Sequence, residues 1–190
     1  MRNRWRDETL MSLKAHFELL ASYNQWMNAK IYAAAGELGA DELAQDRGAF
    51  FGSILGTLNH ILIADIIWLK RFAAHPGCLV PLREIVELPD PRSLDQILFD
   101  DFAVLSGQRS WLDRRISDWV SQLSDDGLDR VLAYRNTKGV PANRRFSSLV
   151  LHFFNHQTHH RGQVTTLLSQ AGKTVEVTDL LVLIPDEEAV

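Results

Sequence analysis

The segment FNHQTHHRGQ, residues 154–163, holds three of the chain's seven histidines, and His152 lies just upstream. Imidazole is the commonest metal-binding side chain. If this segment is helical, each residue advances about 100° around the axis. His156 and His160, four apart, then share the apolar side with Phe153, Val164 and Leu167. Their Cβ atoms fall about 5–6 Å apart, a spacing that can chelate one ion. His152 and His156 have the same spacing and form a competing pair. His152 and His159 fall at the edge of the apolar stripe, toward solvent or a partner chain. The plain alternative is that all four are ordinary helix residues satisfied by hydrogen bonds. HQTHH also has the spacing of the zinc-peptidase pattern HExxH, but Gln157 stands where the glutamate would be. An amide cannot act as the general base that activates water, so that reaction is not expected.

Two histidines make a weak site, because a catalytic zinc-type centre usually has three protein ligands and an open position. The best third candidate is His60, in GTLNHILIAD. Its helical neighbours Ser53, Gly56, Thr57 and Ala64 are small and leave room beside the ring, whereas Phe51, Leu55, Leu58, Leu62 and Leu69 are assigned to the opposite face. His16 reads as structural, and His75, in a Pro/Gly segment, as exposed. Asp65 lies about 140° around the helix from His60 and is expected to pair with a cation elsewhere. Trp26, Trp68 and Trp111 read as core residues.

Four long helices would position these residues. Apolar residues recur at three- and four-residue steps over residues 9–38, with Gly36 and Gly39 at the end. ADELAQDRG follows, with room for one helical turn. A second helix, residues 50–73, is apolar on most sides through ILIADIIWL and is expected to be buried. HPGCLVPLREIVELPDPRS holds four of the six prolines and reads as a loop. A third helix is expected over 93–123, with Ser93 and Gln96 as a capping box. Turn signals around Asn136 and Gly139 allow a short hairpin, and a fourth helix is expected over 147–172 with Ser147 as N-cap. The apolar, β-branched tail KTVEVTDLLVLIPDEE is expected to pack across the helices. The expected fold is an all-α four-helix bundle in one domain, residues 1–190, with the site built from facing helices.

Composition narrows the partners. The net charge is −4 and the basic residues are scattered, which argues against nucleic acid. No apolar stretch reaches membrane-spanning length and the N-terminus has no signal-peptide core, so no membrane association is expected. Cys78 is the lone cysteine, which fits a reducing compartment. Lying in a loop with no evident partner, it is not expected to be a nucleophile. The expected location is cytoplasmic.

YNQWMN (23–28), DRGAFFGSILGTLNHILIADIIWL (46–69) and FNHQTHHRGQVTTLLSQAG (154–172) together resemble the DinB family, the DinB/YfiT-like metalloenzymes. The likeness covers nearly the whole chain, and HHRGQ after an upstream LNH is its most specific part. It implies an up-down-down-up four-helix bundle, a homodimer, and a role in the stress response. It also implies a divalent metal, nickel or zinc foremost with manganese or iron as alternatives, held by His60, His156 and His160. On that analogy His159, Arg161, Gly162 and Gln163 match the motif without binding the ion. Relatives of this fold use low-molecular-weight thiols or are described as hydrolases, so a small-molecule substrate is implied. The ion would make water acidic, giving hydrolysis, or ionise a thiol, giving thiol transfer. Metal binding should weaken below about pH 6 as protons compete for imidazole. A metal-binding stress protein without catalysis and a dimeric interaction protein are the alternatives.

Overall fold

The computed structural model describes residues 12–186. The expected helical residues 9–11, and the tail beyond 186, lie outside them. The fold is mostly helical, with one small two-stranded sheet. Four helices are long: α1 (Leu13–Ala35), α3 (Ile54–Phe72), α5 (Phe102–Ser121) and α7 (Phe146–Gln170). Between them lie α2 (Ala40–Ala44), α4 (Leu79–Val86), α6 (Asp125–Leu128) and a hairpin of β1 (Val131–Arg135) and β2 (Pro141–Arg145). Among the long helices, α1 packs on α5 and α7, and α3 packs on α7 and α5. No helix among the described residues is long and apolar enough to cross a membrane.

Local chemistry sets most helix ends. Ser12 caps α1 by accepting from the Ala15 amide, and Ser53 caps α3 by accepting from the Gly56 amide. Lys70 and Arg71 sit in the last turn of α3, where they complement the helix dipole. Residues Ile54 to Ile66 are buried on every face, as suits a helix apolar on most sides, and its polar Asn59, His60 and Asp65 are hydrogen-bonded. α7 closes with Gly172 at φ 74°. There the Lys173 amide donates to Leu168 O and the Gly172 amide to Ser169 O, the Schellman arrangement.

Several expectations are corrected. The proline-rich segment is not all loop, because α4 forms within it and buries Leu82 and Ile85. Pro81 lies in the first turn of α4, where its missing N–H has no intrahelical partner to lose. The third long helix starts at Phe102 rather than Ser93, capped by Asp101. Residues 94–99 are held against α3 instead. The Asn59 side chain accepts from the Leu98 and Phe99 amides at 2.9 and 3.0 Å and donates to Phe99 O at 3.0 Å. Gln96 accepts from the Arg92 amide rather than completing a box with Ser93. α7 begins at Phe146, one residue before Ser147, because the Phe146 amide is bonded to Arg130 O across the hairpin base.

The hairpin forms as expected, with Pro141 paired to Arg135 at the strand end and Asn136 Oδ1 accepting from the Lys138 and Val140 amides. The tail packs less deeply than expected. Thr178 O and Val177 O accept from Tyr23 and Lys30 of α1, but Leu181 and Val182 remain exposed.

The core contains a polar layer among its apolar residues. Buried Arg109 bridges Asp65 and Asp113 at 2.5 and 2.8 Å. The second contact is an ion pair by distance without hydrogen-bond alignment. Asn24 and Asn28 donate to Asp113, Gln157 donates to Asp65, and Arg161 donates to Asn24. Two cations and two carboxylates, all buried, thus tie the four long helices together. Burial pushes the Asp65 carboxyl up, while the two neighbouring carboxylates hold the Arg109 guanidinium charged.

Candidate metal centre

His60 on α3 and His156 and His160 on α7 converge. Their three ligand atoms lie within 4.8 Å of one another. His160 Nε2 is 3.2 Å from His60 Nε2 and 3.1 Å from His156 Nε2. The opposite ring nitrogens decide the protonation. His60 Nδ1 lies 2.8 Å from Leu94 O, and His160 Nδ1 lies 2.7 Å from Gln163 Oε1. Both oxygens can only accept, so both Nδ1 atoms carry the proton and both Nε2 atoms present a bare lone pair. Two bare nitrogens cannot hydrogen-bond to each other, and their lone pairs repel. A cation between them removes the repulsion.

The spacing fits such an ion. Two nitrogens bound to one tetrahedral ion at about 2.0–2.1 Å stand roughly 3.4 Å apart, close to both Nε2–Nε2 distances here. The three histidines can therefore hold a metal ion. Leu94 O and Gln163 are the outer partners that fix ring orientation, as such groups do in metal sites generally.

The electrostatics agree. Burial lowers the pKa of His60, and neighbouring His160 lowers it further. Burial likewise lowers His160, against the raising effect of the Gln163 hydrogen bond. His156 is pushed down to about 3 by burial, with His160 and His60 next in effect. All three are neutral imidazoles at physiological pH, the form that binds metal.

Phe51 was not anticipated. Assigned to the far face of α3, it instead precedes that helix and lies flat on the His60 ring, centroids 3.7 Å apart and planes 16° apart. Its edge also meets His160. The small residues near His60 leave space for this ring rather than for a ligand. A Cβ added at Gly56 would come within 2.1 Å of Phe51 O. Phe50, next to it, is 86% exposed.

The remaining candidates separate cleanly. His152 packs edge-on against Trp68 and stands outside the cluster, so the pairing is His156 with His160. His159 is exposed and meets the Gln163 amide nitrogen. Gln157 is fully buried and points away into the polar layer. Asp65 pairs with Arg109 as expected. His16 is exposed at the start of α1, with its ring nitrogen near Ser12 O. His75 corrects the expectation of exposure, being 3% exposed and stacked on Phe146. Cys78 is buried at the start of α4, where Trp119 Nε1 donates to its sulfur and burial pushes the thiol up. Such a thiol makes a poor nucleophile.

A mostly helical protein with three convergent neutral histidines, two of them with bare Nε2 atoms turned to the shared point, is a candidate helical metalloprotein. The DinB family model matches residues 11–188, and the chain belongs to the DinB family. The chain is also similar to Protein DinB of Bacillus subtilis (strain 168), at 26% identity over 162 residues, covering 84% of this chain and 88% of that protein. No solved structure matches the chain at a significant level.

Proposed function

We propose that the protein is a metal-dependent enzyme acting on a small molecule, either a low-molecular-weight thiol S-transferase or a hydrolase. The observation that carries this reading is the convergence of unprotonated Nε2 atoms from His60 and His160, with His156 Nε2 beside them. A divalent ion held there, nickel or zinc foremost, supplies acidity to a water or a thiol. The chain's own residues prepare the place. Leu94 O and Gln163 fix the tautomers, burial keeps the rings neutral, and Phe51 shields one face of His60 from water. The proposed scaffold is the up-down-down-up four-helix bundle, working as a cytoplasmic homodimer in a stress response.

A non-catalytic metal-binding stress protein is the second reading. It draws on the depth of the site, because His60 and His160 are only 4% and 9% exposed. A panel of thiols with an electrophilic acceptor, and of simple esters, separates the two when run with and without added Ni²⁺, Zn²⁺ or Mn²⁺. Turnover that needs metal and disappears in His156→Ala supports the enzyme. Stoichiometric metal with no turnover across the panel favours the second reading.

A further inference from the structure

A cleft of about 420 Å³ lies at the C-terminal end of α3, one helix segment away from the histidines, lined by Lys70, Arg71, Asp90, Arg92, Ser93 and Thr137, with Leu94 in its wall. Two chains of contact join it to the metal centre. Leu94 is the residue whose carbonyl accepts from His60 Nδ1. On the other side, the Arg71 guanidinium lies 4.7 Å over the Trp68 ring, Trp68 packs on His152, and the His152 ring is 6.0 Å from that of His156.

The charges in the cleft are not balanced. Lys70 is paired with Asp90 at 2.5 Å, and its ammonium also donates to Leu88 O. Arg71 and Arg92 form no ion pair among the described residues. Arg71 is the more telling of the two. It is half-buried and lies against the rings of both Trp68 and Tyr134, which pack on each other with centroids 5.5 Å apart. Burial pulls its guanidinium below the ordinary arginine value, with no carboxylate to offset the effect. A planar fork held rigid on aromatic faces loses little freedom when it binds, and it matches the two oxygens of a carboxylate or phosphate. The Thr137 hydroxyl supplies a further donor, while the Ser93 hydroxyl is bonded to the Asp95 carboxylate.

We propose that this cleft is an anion subsite of the metal centre, in which Arg71 and Arg92 hold a carboxylate or phosphate group of the small-molecule substrate. The proposal rests on the reading of the histidines as a substrate-processing site, but its test does not depend on turnover. The cleft lies toward the end of α3 and the hairpin, so it selects substrates that carry their acid group away from the reacting atom. Neutral thiols and neutral esters would lack this anchor.

The test is calorimetric titration of metal-free protein with inorganic phosphate and, separately, succinate, at neutral pH and constant ionic strength. Tryptophan fluorescence is followed in parallel, because Trp68 lies under Arg71. Saturable binding is expected for at least one anion, and which one binds identifies the acid group. Arg71→Gln and Arg92→Gln should each weaken it about ten-fold, the loss of one charge-assisted contact. His160→Ala, which touches no residue of the cleft, should leave it unchanged, and both arginine variants should keep the wild-type metal:chain ratio. Arg92 is exposed, so Arg92→Gln keeps the test readable if Arg71→Gln folds poorly. The absence of saturable binding by either anion overturns the proposal. So does equal affinity in Arg92→Gln, or binding that appears only with metal and vanishes in His160→Ala. A protein that binds anions in this way but no metal would refute the metal reading alone.

Discussion

The Nε2 atoms of His60 and His160 stand 3.2 Å apart across the α3–α7 interface, and each ring donates its Nδ1 proton to a separate oxygen. This pairing of bare nitrogens is unfavourable in an empty site and favourable around a cation. It makes the outer partners as consequential as the ligands.

Gln163 is the first of these to test. Gln163→Leu removes the acceptor for His160 Nδ1 and frees the ring to turn or change tautomer. Metal affinity should fall about 10–100-fold with the three ligands intact. Gln163→Glu keeps an acceptor and should stay near wild type. Competition with a chelating dye reads both, and wild-type affinity in the leucine variant would remove Gln163 from the account.

Gly56 carries a packing prediction. Gly56→Ala places a Cβ against Phe51 O, so the 46–52 loop must shift and its ring must move off His60. Over-packing of this kind should destabilise the protein by about 1–3 kcal/mol. Urea denaturation measures it, and an unchanged midpoint would mean that the loop yields freely.

The buried polar layer predicts a larger effect. Arg109→Met leaves Asp65 and Asp113 buried without their shared cation. The loss should be about 3–5 kcal/mol, because an uncompensated buried charge outweighs the gain in apolar packing. A triple variant that also replaces both aspartates with asparagine should recover part of it. Denaturant midpoints of the three proteins decide the point.

His75 sets a pH dependence away from the metal centre. Burial lowers its pKa below the ordinary 6.5, and Arg130 adds to the effect. As pH falls through 6.5 the unfolded chain takes up this proton before the folded one. Its contribution to stability is therefore complete above 6.5 and is lost progressively toward the lower folded value. His75→Phe keeps the stack on Phe146, whose ring lies 4.1 Å away, and removes the proton. Stability of that variant should fall less steeply between neutral and mildly acidic pH, as read by denaturant midpoints at several pH values. A slope equal to the wild type's would contradict the assignment.

Much of the site was legible in sequence because helical periodicity is a strong signal. The i, i+4 spacing put His156 and His160 on one face, and the small residues around His60 marked an unusual place in an apolar helix. Geometry alone left His152 as a competitor for His156, and the family likeness was needed to choose. What was missed depends on segments without periodicity. Leu94 acts through its backbone carbonyl, which no residue type announces. Phe51 reads as part of α3 until Ser53 is seen to cap that helix two residues later. The late start of α5 follows from Asn59 binding residues 98 and 99, a contact separated by about forty positions. Gln163 was within reach, since it lies three residues after His160 on the same helical face.

The proposed function requires the three histidines to hold an ion, and elemental analysis of tag-free protein tests this most directly. It predicts close to one divalent ion per chain in the wild type, and loss of that ion in each of His60→Ala, His156→Ala and His160→Ala. A metal:chain ratio near zero, or one indifferent to all three substitutions, would contradict it.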